Sequence, residues 1–206
     1  MTSRAPGRSY SGLSPDARRE QRRELFLASG LELFGTLGYR KTTVRRLSDH
    51  SGVAARYLAE SFDGSAGLFG AVYDRIHQDM VRVVQHSIME ADPSPSSRLR
   101  AGASALLHAF TSDSRVARIK LVEAAVADPE VAARQRSSVR EIAAIIEFCL
   151  PPPLPHIDIR IVTRALAGAV IELIVAHHDG ELEVPNDRLV DHMVALCEGV
   201  ATACCE

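Results

Sequence analysis

The sequence predicts an all-α fold of about nine helices. Three observations predict it. Apolar residues recur at helical spacing along most of the 206 residues. No segment keeps a period-two pattern enriched in β-branched residues, so no sheet is expected. Ser-Pro, Asp-Pro, Asp-Gly and one Pro-rich break cut the chain into helix-length pieces.

Taken in order, residues 1–13 are rich in Gly, Ser, Pro and Arg and read as a disordered arm. Ser14-Pro15 sets an N-cap and a first-turn proline. The first helix then runs to about Leu37, with Phe26, Gly30, Leu33, Phe34 and Leu37 on one face. Arg18, Arg19, Arg22 and Arg23 mark the other face, and Gly38 ends the helix. A short helix follows Thr42-Thr43, with Val44 and Leu47 apolar. Gly52 reverses the chain, where a positive φ favours glycine. Residues 54–60 form a second short helix, buried through Val53, Leu58 and Phe62. A long helix starts near Ser65 and runs to about Ala91, where Asp92-Pro93-Ser94-Pro95 breaks it. Helices are then expected over 99–110, 115–126, 129–150, 157–178 and 186–203. The strongest break is residues 151–155, Pro-Pro-Pro-Leu-Pro.

Two short helices joined by a glycine-bearing turn form a helix-turn-helix, whose second helix enters the DNA major groove. Charge supports that placement. Residues 1–64 carry 11 Lys/Arg against 7 Asp/Glu, a balance of +4. Residues 65–206 carry 13 against 19, a balance of −6. The division expected is an arm (1–13), a DNA-binding unit (14–64) and a helical ligand-binding and dimerisation unit (65–206).

The stretch 18–75 resembles the TetR family of transcriptional repressors. The resemblance rests on Leu33-Phe34, Gly38-Tyr39, Thr42-Thr43-Val44, Gly52-Val53, residues 54–60, Phe62 and Leu68, in order and without gaps. It implies a three-helix head and a body that encloses a ligand pocket. It also implies that the last two helices form a four-helix bundle with a second subunit. The helix over 157–178 supports that pairing separately, because a helix apolar nearly all round needs more than one neighbour.

Phosphate contacts supply affinity, and contacts to base edges supply specificity. Ala55, Arg56, Tyr57 and Glu60 are expected to face the groove. Arg can bind guanine bidentately, and Glu can accept from cytosine. Arg45 and Arg46 on the preceding helix, with Lys41, Thr42 and Thr43 at its start, are expected to contact DNA as well. Four positions depart from the family pattern. Ala54 stands where a Ser or Thr usually caps, Ala59 where a Tyr is usual, Ser61 where a His is common, and Ser65 where a Lys is common.

In the body, Met80, Leu107, His108, Phe110, Arg118, Val122, Glu123, Phe148 and Val170 are the candidate ligand contacts. His108, Arg118 and Glu123 are their polar members. With no Trp and few aromatics, a small aliphatic or apolar ligand is expected. The dimer interface is expected at Leu166, Val170, Leu173, Ile174, Leu189, Met193 and Leu196.

Other chemistries lack their signatures. The spacing of the four cysteines and eight histidines suggests no metal site, and no catalytic motif is present, so neither an enzyme nor a bound cofactor is expected. No run of apolar residues is long enough to span a membrane. The N-terminal stretch lacks the apolar core of a secretory signal, so a cytoplasmic protein is expected. The function expected is a ligand-responsive repressor that binds a palindromic operator as a homodimer and is released by a small apolar ligand. The alternative is a helical small-molecule-binding or protein-interaction module with a vestigial DNA-binding head.

Overall fold

The computed structural model describes residues 14–124 and 129–205. These residues form nine helices: α1 (Pro15–Thr36), α2 (Val44–Ser51), α3 (Arg56–Phe62), α4 (Gly64–Glu90), α5 (Pro95–Thr111), α6 (Ser114–Ala117), α7 (Pro129–Cys149), α8 (Ile159–His178) and α9 (Asn186–Cys204). A 3₁₀ turn, Tyr39–Lys41, precedes α2, and a π-helical stretch, Arg118–Glu123, continues α6. No strand occurs among the described residues; an isolated bridge joins Pro153 to Cys205. The expected arm over 1–13 lies outside the described residues, as does the expected end of a helix at Val126.

Local chemistry explains most boundaries. The Ser14 hydroxyl accepts from the Ala17 amide at 3.1 Å, capping α1. Ser94-Pro95 repeats that device, with Ser94 accepting from the Ser97 amide. Helix α5 therefore starts four residues before the expected position 99, because this Ser-Pro pair opens a helix as well as closing a loop. The other correction is at 115–126. There the expected α-helix is four α-helical residues followed by a wider π turn.

Helices α1, α2 and α3 pack together over Phe26, Phe34, Leu47, Val53, Leu58 and Phe62, all buried. The Phe26 and Phe62 rings meet edge to face, centroids 6.3 Å apart. Phe69 of α4 continues this core, stacking edge-on against Phe34 and Tyr39 at 5.0 and 4.9 Å. The rigid attachment of the three-helix head to α4 follows from these rings. Helices α4, α5, α7, α8 and α9 pack on one another as the body, with α6 and the π stretch against α1.

Candidate functional site

The head presents the expected helix-turn-helix. Gly52 ends α2 at φ 68°, in the left-handed region that glycine adopts without strain. Thr43 caps α2, its hydroxyl accepting from the Arg46 amide at 3.3 Å. Lys41, Thr43, Arg45, Arg46, Ala55, Arg56 and Glu60 are exposed, on one side or the other of the turn. Arg45 reaches only Asp49, at 3.7 Å, and both side chains are solvated. Tyr57 is half-buried and lies between two guanidiniums, Arg22 at 4.3 Å and Arg56 at 4.6 Å from its ring centroid. The Arg56 hydrogen bond to the Tyr57 hydroxyl pulls the phenol below its ordinary range, with Arg56 charge adding to the effect. These neighbours give α3 a cationic, aromatic surface suited to a phosphate or a base edge.

Thr42 differs from its neighbours. It is buried, and its hydroxyl bonds the carbonyls of Gly38 and Leu33 at 2.8 and 3.2 Å. Its polar group is spent on ending α1. Arg22 and Arg23 also leave the solvated face expected of them. Arg23 stacks over Phe62 and donates to the Ser61 carbonyl. Helix α3 begins with Ala55 in helical conformation and without a side-chain cap, as expected from Ala54.

A polar lock at Glu123 joins the head to the body, and an ion pair between Glu24 of α1 and Arg75 of α4, at 2.8 Å, ties them a second time. The Glu123 carboxylate accepts from the Tyr39 amide at 2.8 Å and from Arg118 Nε at 3.1 Å. Arg118 also donates to the Thr36 carbonyl at 2.7 Å. Gly38 makes room for this: its φ is 89°, and a Cβ there would sit 2.6 Å from the Glu123 carboxylate. Beside the lock, Arg115 pairs with Glu32 of α1 and with Asp113, both at 2.7 Å. Arg118 and Glu123 are thus joints between head and body, away from the cavity they were expected to line.

The cavity lies between α4, α5, α7, α8 and α9. Its main chamber measures about 60 Å³ and is walled by apolar groups such as Met80, Val84, Leu106, Ile142, Ile146 and Val170. A second chamber of about 40 Å³ shares His77, Met80 and Ile142 with it. That second chamber is polar at one end, where Tyr73, Lys120 and Ser138 meet Phe110, Val139 and Ile171.

Of the expected ligand contacts, Met80, Phe110 and Val170 line these chambers. His108 instead lines an open cleft between α1, α4 and α5. Leu107 is packed in the core. Val122 and Phe148 are exposed, Phe148 lying under the Arg98 guanidinium. Sequence reasoning missed His77, Lys120 and Ser138. The one available signal was a lysine set among Ile119, Leu121 and Val122, where an exposed cation would break the apolar run.

The expected interface residues mostly face inward. Leu166, Val170, Ile174, Leu189 and Met193 are buried within this one chain, because α8 packs on α7 and α9 packs on α5. Leu173 is half-buried and Leu196 is exposed. The outward side of α8 and α9 carries Ile161, 70% exposed, and the small residues Ala165, Gly168, Ala195 and Gly199.

Solved structures match this arrangement over nearly its whole length. A bacterial regulatory protein of the tetR family from Rhodococcus RHA1 is 18% identical, with TM-score 0.60, covering 85% of this chain and 94% of that one. The chain has the TetR-type fold. Within that fold, the transcriptional regulator FadR from Bacillus subtilis, solved with stearoyl-CoA, is 13% identical, with TM-score 0.72, over 84% of this chain and 96% of its own. AibR, solved with isovaleryl coenzyme A and operator DNA, is 15% identical, with TM-score 0.62, over 85% and 97%. No protein-family model matches the sequence, and no curated protein matches it. Among the described residues of this TetR-type chain, no helix is long and apolar enough to cross a membrane, and no group of His, Cys, Asp or Glu is placed to hold a metal ion.

Proposed function

We propose that this chain is a cytoplasmic, non-enzymatic transcriptional regulator that binds a palindromic operator as a homodimer and is released by a small apolar ligand. In this reading residues 14–64 bind DNA, and residues 65–206 bind ligand and dimerise. The observation that carries it is the pairing of two features in one chain: an exposed cationic helix-turn-helix and an apolar cavity in the body, joined through the polar lock at Glu123. Two TetR-type neighbours were solved with acyl-coenzyme A ligands, one of them with operator DNA, which agrees with the reading.

The physical route is short. Lys120, at the cavity, and Arg118 and Glu123, at the head, share one π-helical stretch of six residues. A ligand that shifts this stretch changes the seat of Tyr39 and Thr36. It then biases the dimer toward whichever head spacing it binds better. A bidentate base contact is the simplest use of the Arg45 guanidinium, which is solvated and held only by Asp49 at 3.7 Å. Arg45→Ala is expected to weaken binding to a palindromic duplex from around its own gene by about 1–3 kcal/mol, read by fluorescence anisotropy. If no such duplex binds at low salt, the interaction-module alternative takes its place.

A further inference from the structure

The cavity holds a cation that the fold does little to satisfy. Lys120 is 6% exposed. Its ammonium lies 3.5 Å from the Tyr73 ring centroid and 3.4 Å from the Ser138 hydroxyl. The Ser138 hydroxyl donates to the Arg134 carbonyl at 3.1 Å, which leaves its oxygen to accept from Lys120. The carboxylates nearest in charge terms are already engaged: Asp74 pairs with Arg134, and Glu141 with His77 at 2.8 Å. Among the described residues, no carboxylate lies within ion-pair distance of the Lys120 ammonium. A buried charge without a counter-ion is costly, and an anion entering the chamber offsets that cost.

His77, Met80 and Ile142 line both chambers, so the polar end and the apolar main chamber lie on either side of the same three residues. We infer that Lys120 anchors the carboxylate of a short aliphatic acid, with its tail in the main chamber. This rests on the ligand-responsive reading above and names its ligand class. Size favours a short tail: the main chamber, about 60 Å³, is smaller than the ~150 Å³ cavity that accepts benzene in an engineered protein. The Tyr73 ring face and the Ser138 oxygen hold the ammonium in place at the chamber wall.

Protonation couples to this binding. Burial holds Lys120 down to about 7, against opposing pull from Asp74 and Glu141. A carboxylate favours the ammonium, so binding above that value takes up a proton. Two of the groups facing Lys120 are moved away from the window tested. Burial, followed by Lys120 charge, pushes His77 below its ordinary value, and burial pushes Tyr73 above its own. Asp74, Arg134 and Glu141 keep their pairs.

The test is isothermal titration of the DNA-free protein with butanoate and hexanoate, with methyl butanoate as the uncharged probe. Acid binding is expected to weaken about tenfold per pH unit from roughly pH 7.5 to 9.5, with uptake of one proton. Lys120→Met is expected to weaken acid binding about 10- to 100-fold and to leave ester binding unchanged. The second cation on the cavity wall, Arg98, serves as control, since its buried Nε is also without a partner. The inference is overturned if neither acid binds, if acid affinity is flat with pH, if Lys120→Met binds acid like the native chain, or if Arg98→Gln alone abolishes it. Acid that binds as expected yet leaves operator affinity unchanged supports the anchor and overturns the regulator reading.

Discussion

The head and the body both depend on cations, but they hold them under opposite conditions. In the head, Arg45, Arg46 and Arg56 stand in solvent, each a side chain or less from another polar group. Keeping such charges costs little, because water screens them. In the body, Lys120 is enclosed by aromatic and aliphatic groups, and its charge is expensive in every state without a partner anion. A functional site in the head is therefore recognised by what is exposed. One in the body is recognised by what should not have been buried. Breaking the comparison means removing that burial cost, cutting the joint between the two regions, or adding to the cheap charges of the head.

The largest effect is expected where the cost is largest. Lys120 has an ordinary value of 10.5 in the unfolded chain and about 7 in the folded one. Below about 7 both states carry the proton, so the native state bears the full penalty of a buried charge. As pH rises toward 10.5 the unfolded chain keeps a proton that the native state has lost, and native stability rises relative to a variant without this group. Lys120→Met should stabilise the protein by on the order of 4 kcal/mol near pH 6, and by much less near pH 10. Urea denaturation of both proteins at the two pH values measures this. A difference that does not change with pH would mean that Lys120 reaches water or an anion in the native state.

A smaller effect is expected at the joint. Gly38 has φ 89°, and a Cβ there would lie 2.6 Å from the Glu123 carboxylate. Gly38→Ala combines left-handed backbone strain with displacement of the acceptor of the Tyr39 amide. Stability should fall by about 1–3 kcal/mol. Operator affinity should also become less sensitive to hexanoate, because the π stretch no longer grips the head. Anisotropy with and without the acid reads that coupling. If Gly38→Ala loses stability but keeps its full ligand response, the signal crosses to the head by another path.

The same contrast explains what the sequence revealed. The helix-turn-helix was legible because its determinants are local: Thr43 caps the helix three residues on, Gly52 turns it, and Leu47, Val53, Leu58 and Phe62 lie within one short stretch. The nine helices were legible for the same reason. Where they missed, at Ser94-Pro95 and the π turn, one signal had two meanings or the backbone changed pitch without a breaker residue. The cavity was not legible. Lys120 meets Tyr73 and Ser138 across 47 and 18 positions, and nothing local to any of them encodes the meeting. Most of the expected interface residues turn inward for a related reason. An apolar helix needs neighbours on several sides, but periodicity does not say whether they come from the same chain, and here α5 and α7 supply them.

The smallest effect tests how far the head follows the family pattern. Ser65 and Ala59 stand where TetR-like sequences carry a Lys and a Tyr. Ser65 lies in the first turn of α4, half-buried, and Ala59 is exposed on α3. A lysine at 65 is long enough to leave the head surface and reach a phosphate beside the recognition helix. One added phosphate contact should steepen the salt dependence of binding by about one unit per subunit. It should strengthen operator and random duplex nearly alike, since phosphates carry no sequence. Arg56→Ala, by contrast, should narrow the gap between the two duplexes if Arg56 reads a base edge as proposed. Titrating Ser65→Lys at several salt concentrations separates the possibilities. An unchanged slope would mean that α3 docks tilted, so that the start of α4 stays clear of the backbone. In that case Arg22, stacked on Tyr57 from α1, becomes the cation best placed to take the phosphate instead.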